Sequence, residues 1–186
     1  MAQFKPNRRK IVEALVYLAI QRPGIGVFHA NKTLFFADRA HLLRYGRTIT
    51  GDIYYAMDDG PVPTNAYDIA RNRDRFVTAD VLAYAAAKLS LDDSGSHVQI
   101  TAKDNFDDSE FSQTDIECLQ AAIDTYADME FLDLWRLAHA EQPWKDHYRG
   151  KGTSTQIPIE SFIPPDMADR DKVIEQLREH ATYTEI

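Results

Sequence analysis

The chain has little cysteine and no long hydrophobic run. Cys118 is its one cysteine among 186 residues, so neither an intramolecular disulfide nor a Cys-rich zinc knuckle can form. The apolar stretch Ile11–Ile20 is interrupted by Glu13 and is about half as long as a membrane-spanning helix, which needs about 20 residues. No small-residue cleavage pattern follows it. We therefore expect a cytoplasmic protein without a membrane partner.

The sequence also lacks the common catalytic and cofactor motifs. It contains no His-Glu-x-x-His pattern and no Gly-x-Ser-x-Gly elbow. Gly150–Thr153 departs from the phosphate-loop pattern because its lysine precedes the second glycine. Cys118 lies between apolar positions near the start of a predicted helix, which favours a buried structural thiol. We expect no enzyme activity, no metal and no cofactor; an unrecognised small-molecule or nucleic-acid enzyme is the minor alternative.

Positive charge is scarce over most of the chain. The net charge is −8, yet residues 1–50 hold nine Lys/Arg against two Asp/Glu, and residues 51–186 hold twelve against 27. These counts give +7 and −15. Either the basic first third forms a site for an acidic partner or nucleic acid, or it packs against the acidic remainder and is neutralised there. The overall negative charge disfavours nucleic acid as a partner.

Apolar residues recur at helical spacing along much of the chain. Asn7–Gln21 is apolar nearly all round, which predicts a central, buried helix. Gly26–Tyr45 predicts a second long helix that ends at Gly46 and carries Lys32, Arg39 and Arg44 on its polar face. Further helices are predicted over Thr64–Asn72, after the Ser112 N-cap, over Phe131–Ala140 with Leu134, Trp135 and Leu137 inward, and after Pro164.

A small β element is predicted after the second helix. Arg47–Thr50 and Ile53–Met57 are interpreted as two strands joined by a tight turn at Gly51-Asp52. Gly60–Pro63 contains two prolines and is interpreted as a stiff, extended connector. Together the patterns predict an α+β, predominantly α-helical fold with about six helices and a small inserted β-hairpin or sheet. We expect a single domain over residues 1–186.

Several short motifs are distinctive in combination, most densely over residues 32–67. They are Lys32–Arg47 with its Tyr45-Gly46 end, Ile49-Thr50-Gly51-Asp52, Gly60-Pro61-Val62, Tyr67, Leu134-Trp135, His139 and Pro143-Trp144. This combination resembles the Panacea domain, also called the SocA-like antitoxin domain. The resemblance spans roughly residues 8–148. Residues 149–186, a predicted C-terminal loop and helix, match it least.

Members of that family serve as antitoxins in bacterial and phage toxin–antitoxin pairs and neutralise the toxin by direct binding. The resemblance therefore implies a binding protein without an active site, whose partner is a cognate protein toxin. Residues 149–186 would then hold partner-specific contacts. An adaptor or scaffold that presents a partner to a protease or an assembly is the alternative from another class. The sequence predicts no particular oligomeric state.

Arginine and aromatic side chains are enriched at protein interfaces. Six of them within the resembling region are expected to be exposed and to bind the partner: Arg39, Arg44, Tyr45, Arg47, Tyr54 and Tyr55. Five other motif residues are expected to be structural: Gly46, Gly51, Asp52, Gly60 and Pro61. Of these, Asp52 is expected to brace the predicted hairpin through a turn hydrogen bond.

Overall fold

Helices dominate the fold. The computed structural model describes residues 4–183, so residues 1–3 and 184–186 of the predicted domain lie outside the described part. Between residues 4 and 183 there are eight α-helices: α1 (Arg8–Gln21), α2 (Val27–Tyr45), α3 (Thr64–Ile69), α4 (Ala79–Lys88), α5 (Gln113–Tyr126), α6 (Phe131–Ala140), α7 (Gln142–His147) and α8 (Arg170–Tyr183). The predicted α+β, mostly helical class is confirmed.

The helix count exceeds the six predicted because two helices are short or weakly patterned. α7 follows α6 almost without a break, and Pro143 lies in its first turn. Proline is tolerated there because the first N–H groups of a helix have no partner within the helix. α4 is rich in alanine and buries mainly Ala85, so it lacks a strong apolar stripe.

Short strands form two three-stranded antiparallel sheets within residues 4–183. The strands are β1 (Ile25–Gly26), β2 (Tyr54–Met57), β3 (Gly60–Pro63), β4 (Leu89–Asp92), β5 (Gln99–Ala102) and β6 (Thr155–Gln156). The first sheet has the order β1-β5-β4 and the second has the order β3-β2-β6. β5 packs against α1, and β3 packs against α2, so each sheet packs against one of the two long helices.

The β-hairpin lies later in the chain than predicted. β2 pairs with β3 across a two-residue turn at Asp58-Asp59, whereas the predicted turn was Gly51-Asp52. Pro61 and Pro63, predicted to lie in a connector, belong to β3. They fit there because β3 is an edge strand of its sheet, the position at which a sheet tolerates a residue without an N–H group.

Residues 47–50, predicted as a strand, form none because a side chain takes the place of the neighbouring strand. The backbone N–H groups of Ile49 and Thr50 donate to one carboxylate oxygen of Asp38, at 2.8 and 3.0 Å. Asp38 lies on the preceding helix, α2. The segment therefore folds back onto the helix that it leaves.

α1 lies at the centre of the larger of two apolar clusters, as its sequence predicted. Ile11, Leu15 and Leu18 have no exposed surface, and neither has Glu13 in the same helix. The Glu13 carboxylate accepts hydrogen bonds from the Tyr84 hydroxyl and from the Asp107 backbone N–H. These hydrogen bonds compensate the loss of water that burial of a carboxylate entails.

A second apolar cluster lies on another side of α2 and is completed by the C-terminal segment. Phe35 of α2 packs against Phe162, with ring centroids 5.2 Å apart, and both side chains are fully buried. Ile174 and Leu177 of α8 belong to the same cluster, and β6 pairs with β2. Residues 149–183 therefore contribute buried side chains to the core; that this segment makes partner-specific contacts stays a prediction.

Gly51 has a backbone conformation and surroundings that only glycine fits. Its φ is +68°, and a Cβ atom there would lie 2.6 Å from the backbone oxygen of Lys5. We expect Gly51→Ala to lower the free energy of unfolding by about 1–3 kcal/mol, measured by urea denaturation. Gly95→Ala is the matched control, because a Cβ at Gly95 meets nothing within 4 Å. Equal stability of the two variants would contradict this assignment.

Candidate partner-binding surface

The buried carboxylate of Asp38 fixes, by hydrogen bonding, the positions of motif residues that follow α2. Besides the two N–H groups of residues 49 and 50, it accepts hydrogen bonds from the Thr50 hydroxyl and, at 2.7 Å, from the Tyr54 hydroxyl. Asp38 has no exposed surface. Burial raises its pKa, and the hydrogen bonds from Thr50 and Tyr54 oppose that rise.

Tyr54 was predicted to be an exposed binding residue, and this prediction is wrong. Its side chain is only 2% exposed, and its ring packs between Phe35 and Phe162, with centroids 5.6 and 5.2 Å away. Successive side chains of a strand point to opposite faces. Tyr54 therefore faces the core, while Tyr55 faces outward, half-buried, with its ring 5.9 Å from that of Phe76.

Asp52 was predicted to brace a hairpin turn, but it supports the start of a helix instead. Its carboxylate accepts from the backbone N–H groups of Asn65 and Ala66, at 3.0 and 2.9 Å, and from the Asn65 side-chain amide at 2.7 Å. It thereby satisfies free N–H groups in the first turn of α3. Burial raises the pKa of Asp52 to about 6 in spite of these hydrogen bonds.

Lys32 was expected on the polar face of the second helix but is 1% exposed. Its ammonium donates to the Pro61 carbonyl at 2.9 Å, and burial lowers its pKa to about 7. Gly60 leaves room for it, since a Cβ there would lie 3.3 Å from Nζ of Lys32 and 3.1 Å from Cβ of Ala138, at a φ of +100°. The Gly60-Pro61 motif thus accommodates the lysine and gives it an acceptor.

A buried ion cluster surrounds Asp115 in the first turn of α5. Its carboxylate lies 2.7 Å from Nζ of Lys10, 2.9 Å from an Nη of Arg47 and 3.1 Å from Nε2 of His41. It also completes the predicted capping box by accepting from the Ser112 N–H at 2.9 Å. Burial raises the pKa of Asp115, but the hydrogen bonds from His41, Lys10 and the Ser112 backbone outweigh it and hold the pKa well below its ordinary value.

The predicted binding arginines have different environments. Arg47 is held by Asp115, although 39% of its side chain stays exposed. Arg39 is 25% exposed and forms an ion pair with Glu141 at 3.4 Å, so it joins α2 to the start of α7. Arg44 is exposed at the end of α2, and beside it Tyr45 is 43% exposed. The structure therefore places Arg44, Tyr45 and the outer part of Arg47 together at the end of α2, apart from Tyr55.

His139 and Trp144 of the later motifs, together with Tyr148, hold the hairpin turn. The Trp144 indole donates to the Met57 carbonyl at 2.8 Å, and Nε2 of His139 lies 2.9 Å from the Asp58 carbonyl oxygen. The Tyr148 hydroxyl donates to the Asp58 carboxylate at 3.0 Å. Sequence reasoning missed this role of Asp58 because acidic pairs in turns are usually solvated.

The outer face of α6 exposes apolar side chains that the sequence analysis did not single out. Leu132 is 61% exposed, and Phe131 is 43% exposed. Leu137, which was expected to point inward, is 42% exposed. Leu134 and Ala138 form the buried face of this helix, and Leu137 lies at the margin of that face, where the neighbouring elements leave much of its side chain uncovered. The local pattern identified the helix but not the full extent of its buried side.

Five basic residues of the first third form ion pairs with acidic residues far along the chain. The pairs are Arg9 with Asp107 and Glu110, Lys10 with Asp115, Arg22 with Asp128, Arg39 with Glu141, and Arg47 with Asp115. The structure therefore favours neutralisation of the basic third within the fold over a separate basic site there.

The structure also bears on whether the protein has a metal site, a membrane-spanning helix or a reactive thiol. Within residues 4–183, no group of three or more His, Cys, Asp or Glu side chains is placed to hold a metal ion. None of the helices in that range is long and apolar enough to span a bilayer. Cys118 is buried, as predicted, and burial raises the pKa of its thiol.

The fold and these surfaces define a mostly helical α+β domain whose motif residues lie largely inside. The sequence model of the family described as "Antitoxin SocA-like, Panacea domain" matches residues 31–145. This match extends from α2 to α7 and covers more than half of the chain, so the protein belongs to this family. Searches of curated proteins and of solved structures found no match.

The Asp115 cluster predicts a pH-dependent stability difference. We expect Asp115→Asn to lower the free energy of unfolding by about 3 kcal/mol at neutral pH, because it leaves buried cations without their carboxylate. The folded-state pKa of Asp115 lies below its ordinary value of 3.8, so its contribution is complete above about pH 4 and declines as the pH falls further. Urea denaturation across this pH range measures the difference.

The matched control is Asp124→Asn, which changes an exposed carboxylate on the same helix. We expect it to change the unfolding free energy by less than about 0.5 kcal/mol at every pH. A difference between Asp115→Asn and wild type that grows as the pH falls below 4 would contradict the assigned direction of the pKa shift.

Proposed function

We propose that this protein is an antitoxin that neutralises a cognate protein toxin of a bacterial or phage toxin–antitoxin pair by direct binding in the cytoplasm. The observation that carries the proposal is the match of residues 31–145 to a family described as SocA-like antitoxins. The protein acts by occupying a surface of the toxin and not by catalysis.

Three buried carboxylates support a binding role because neighbouring groups of the fold already engage them. Asp38 and Asp52 accept several hydrogen bonds each from neighbouring N–H and O–H groups, and Asp115 faces three cationic or imidazole side chains. A catalytic acid, base or nucleophile must instead reach a substrate. The thiol of Cys118 is buried and has a raised pKa, which disfavours the reactive thiolate.

The end of α2 is the part of the predicted binding face that has the properties of an interface anchor. Arg44 and Tyr45 are exposed neighbours. The Tyr45 ring lies 4.7 Å from the ring of His41, whose Nδ1 is 2.8 Å from the Arg47 carbonyl oxygen. Contact with this buried histidine orders Tyr45 before binding, which reduces the entropy lost on association.

Co-expression with the product of the adjacent gene tests the proposed function. We expect the neighbouring protein to arrest growth when expressed alone, and we expect co-expression to restore growth and to yield a stable complex on purification. A harmless neighbour that does not co-purify would contradict the antitoxin function. Rescue that requires a cellular protease would instead favour an adaptor that delivers the partner for degradation.

Variants in the same assay test the binding face. We expect Arg44→Glu and Tyr45→Ala each to weaken binding to the neighbouring protein about tenfold or more, since exposed arginine and tyrosine are frequent hot spots. Lys145→Glu is the control for charge reversal, and Leu132→Ala is the control for apolar truncation; both residues are exposed. A loss confined to Leu132→Ala would contradict this face and place the contact on α6.

A further inference from the structure

The turn between α3 and α4 carries three arginines in five residues: Arg71, Arg73 and Arg75. We call Arg71–Phe76 the arginine loop. Arg73 and Arg75 are exposed. The loop backbone is held by Asp68 of α3, whose carbonyl accepts from the Arg73 N–H at 2.9 Å and whose carboxylate accepts from the Phe76 N–H at 2.8 Å. The loop thus presents its arginines on an ordered backbone.

Each guanidinium of the arginine loop lies over an aromatic ring. Arg71 and Arg73 lie 5.1 and 5.7 Å from the centroid of the Tyr67 ring, and Arg75 lies 5.1 Å from that of Phe76. An aromatic ring contacts the flat face of a guanidinium. The N–H groups at its edge stay available for a carboxylate, which a guanidinium binds through two parallel hydrogen bonds.

The arginine loop concentrates three guanidiniums that form no close ion pair within the described part of the chain. Within residues 4–183, no carboxylate lies within 4.0 Å of a side-chain nitrogen of Arg71, Arg73 or Arg75. The nearby acids are Asp68, which is buried and interacts electrostatically with Arg73 and Arg75, Asp74 on the loop itself, and Asp93, which lines the same cavity as Arg71. In this part of the chain the Nε atom of Arg71 is also buried without a hydrogen-bond partner.

The arginine loop and the segment after α2 meet at the same helix start. An Nη atom of Arg8, in the first turn of α1, donates to the Phe76 carbonyl at 3.2 Å. The adjacent Asn7 N–H donates to the Thr50 carbonyl at 3.1 Å. Tyr55, one of the predicted binding residues, has its ring 5.9 Å from that of Phe76. The loop therefore lies beside Tyr55 and adds guanidiniums that form no ion pair within 4.0 Å, although Asp68 offsets part of their charge at longer range.

The geometry points to the arginine loop, with Tyr55 and Tyr67, as a docking surface for an acidic segment of the protein partner. This inference rests on the proposed function and specifies the chemistry of the bound toxin segment: carboxylates for the guanidiniums beside apolar or aromatic side chains for the Phe76 and Tyr55 rings. A nucleic acid fits less well, because the net charge of −8 repels a polyanion outside this small patch.

The first test measures binding between this protein and the product of the neighbouring gene. We expect Arg73→Glu/Arg75→Glu to weaken binding to the neighbouring gene product at least about tenfold, the effect of losing two ion pairs at an interface. Arg136→Glu/Lys145→Glu, which reverses two exposed charges elsewhere and outside residues 149–186, should bind as wild type does. If both double variants bind equally well, the docking surface is overturned while the antitoxin function stands. Circular dichroism and the thermal midpoint verify that each variant folds.

The second test does not require a toxin. A short fluorescein-labelled peptide rich in Glu and Tyr is titrated with the full chain, and fluorescence anisotropy is recorded at low and at physiological salt. Binding that is lost in Arg73→Glu/Arg75→Glu, kept in Arg136→Glu/Lys145→Glu, and weakened by salt supports the inference. No binding to wild type, equal binding to all three proteins, or binding only to a labelled duplex DNA of similar charge overturns it.

Discussion

A carboxylate with no access to water must receive hydrogen bonds from the protein, and Asp38 receives four, all of them from residues 49–54. Two come from the backbone and two from hydroxyl groups, so both the course of the chain and the identity of the side chains are specified. The segment after α2 cannot extend as a strand while its N–H groups point at Asp38. This one interaction determines where β2 begins and that Tyr54 faces inward.

The same arrangement recurs at two further carboxylates. Asp52 orients the start of α3, and Asp115 joins α1, α2 and α5 through Lys10, His41 and Arg47. The surfaces proposed to bind the partner are the end of α2, which adjoins the Asp115 cluster, and the arginine loop, whose backbone is held by another buried carboxylate, Asp68. A surface that is ordered before binding loses less conformational entropy on association, which suits a protein that must hold its partner firmly.

Local patterns in the sequence were enough for most of the helices, although not for α4 and α7. The periodicity of α1 and α6, the Gly46 end of α2 and the Ser112 capping box are each encoded within a few residues, and each was predicted. The position of the hairpin was not predicted, because it depends on Asp38 of α2, which lies 16 residues before Tyr54 in the sequence. Motif resemblance identified the family, but a motif does not reveal on which side of a strand a tyrosine lies.

The candidate site was harder to predict because charges pair over long distances. Lys10 and Asp115 are 105 residues apart in sequence, and no pattern in the first third shows that Arg47 is bound by the same carboxylate. Conversely, the arginine loop lies in the part of the chain with an excess of acidic residues. The net negative charge of that part gave no indication of a local cluster of arginines. Composition describes the average of a region, whereas a binding surface depends on which charges lack a partner.

Amide hydrogen exchange of the native protein, followed by NMR, tests most directly the claim that buried carboxylates order the binding region. The informative amides are those of Ile49 and Thr50, which lie outside any helix or strand and donate to Asp38. We predict that they exchange at least about a hundredfold more slowly than the Gly95 amide in an exposed loop. Exchange of Ile49 and Thr50 as fast as that of Gly95 would contradict the account, because the segment would then be open to water.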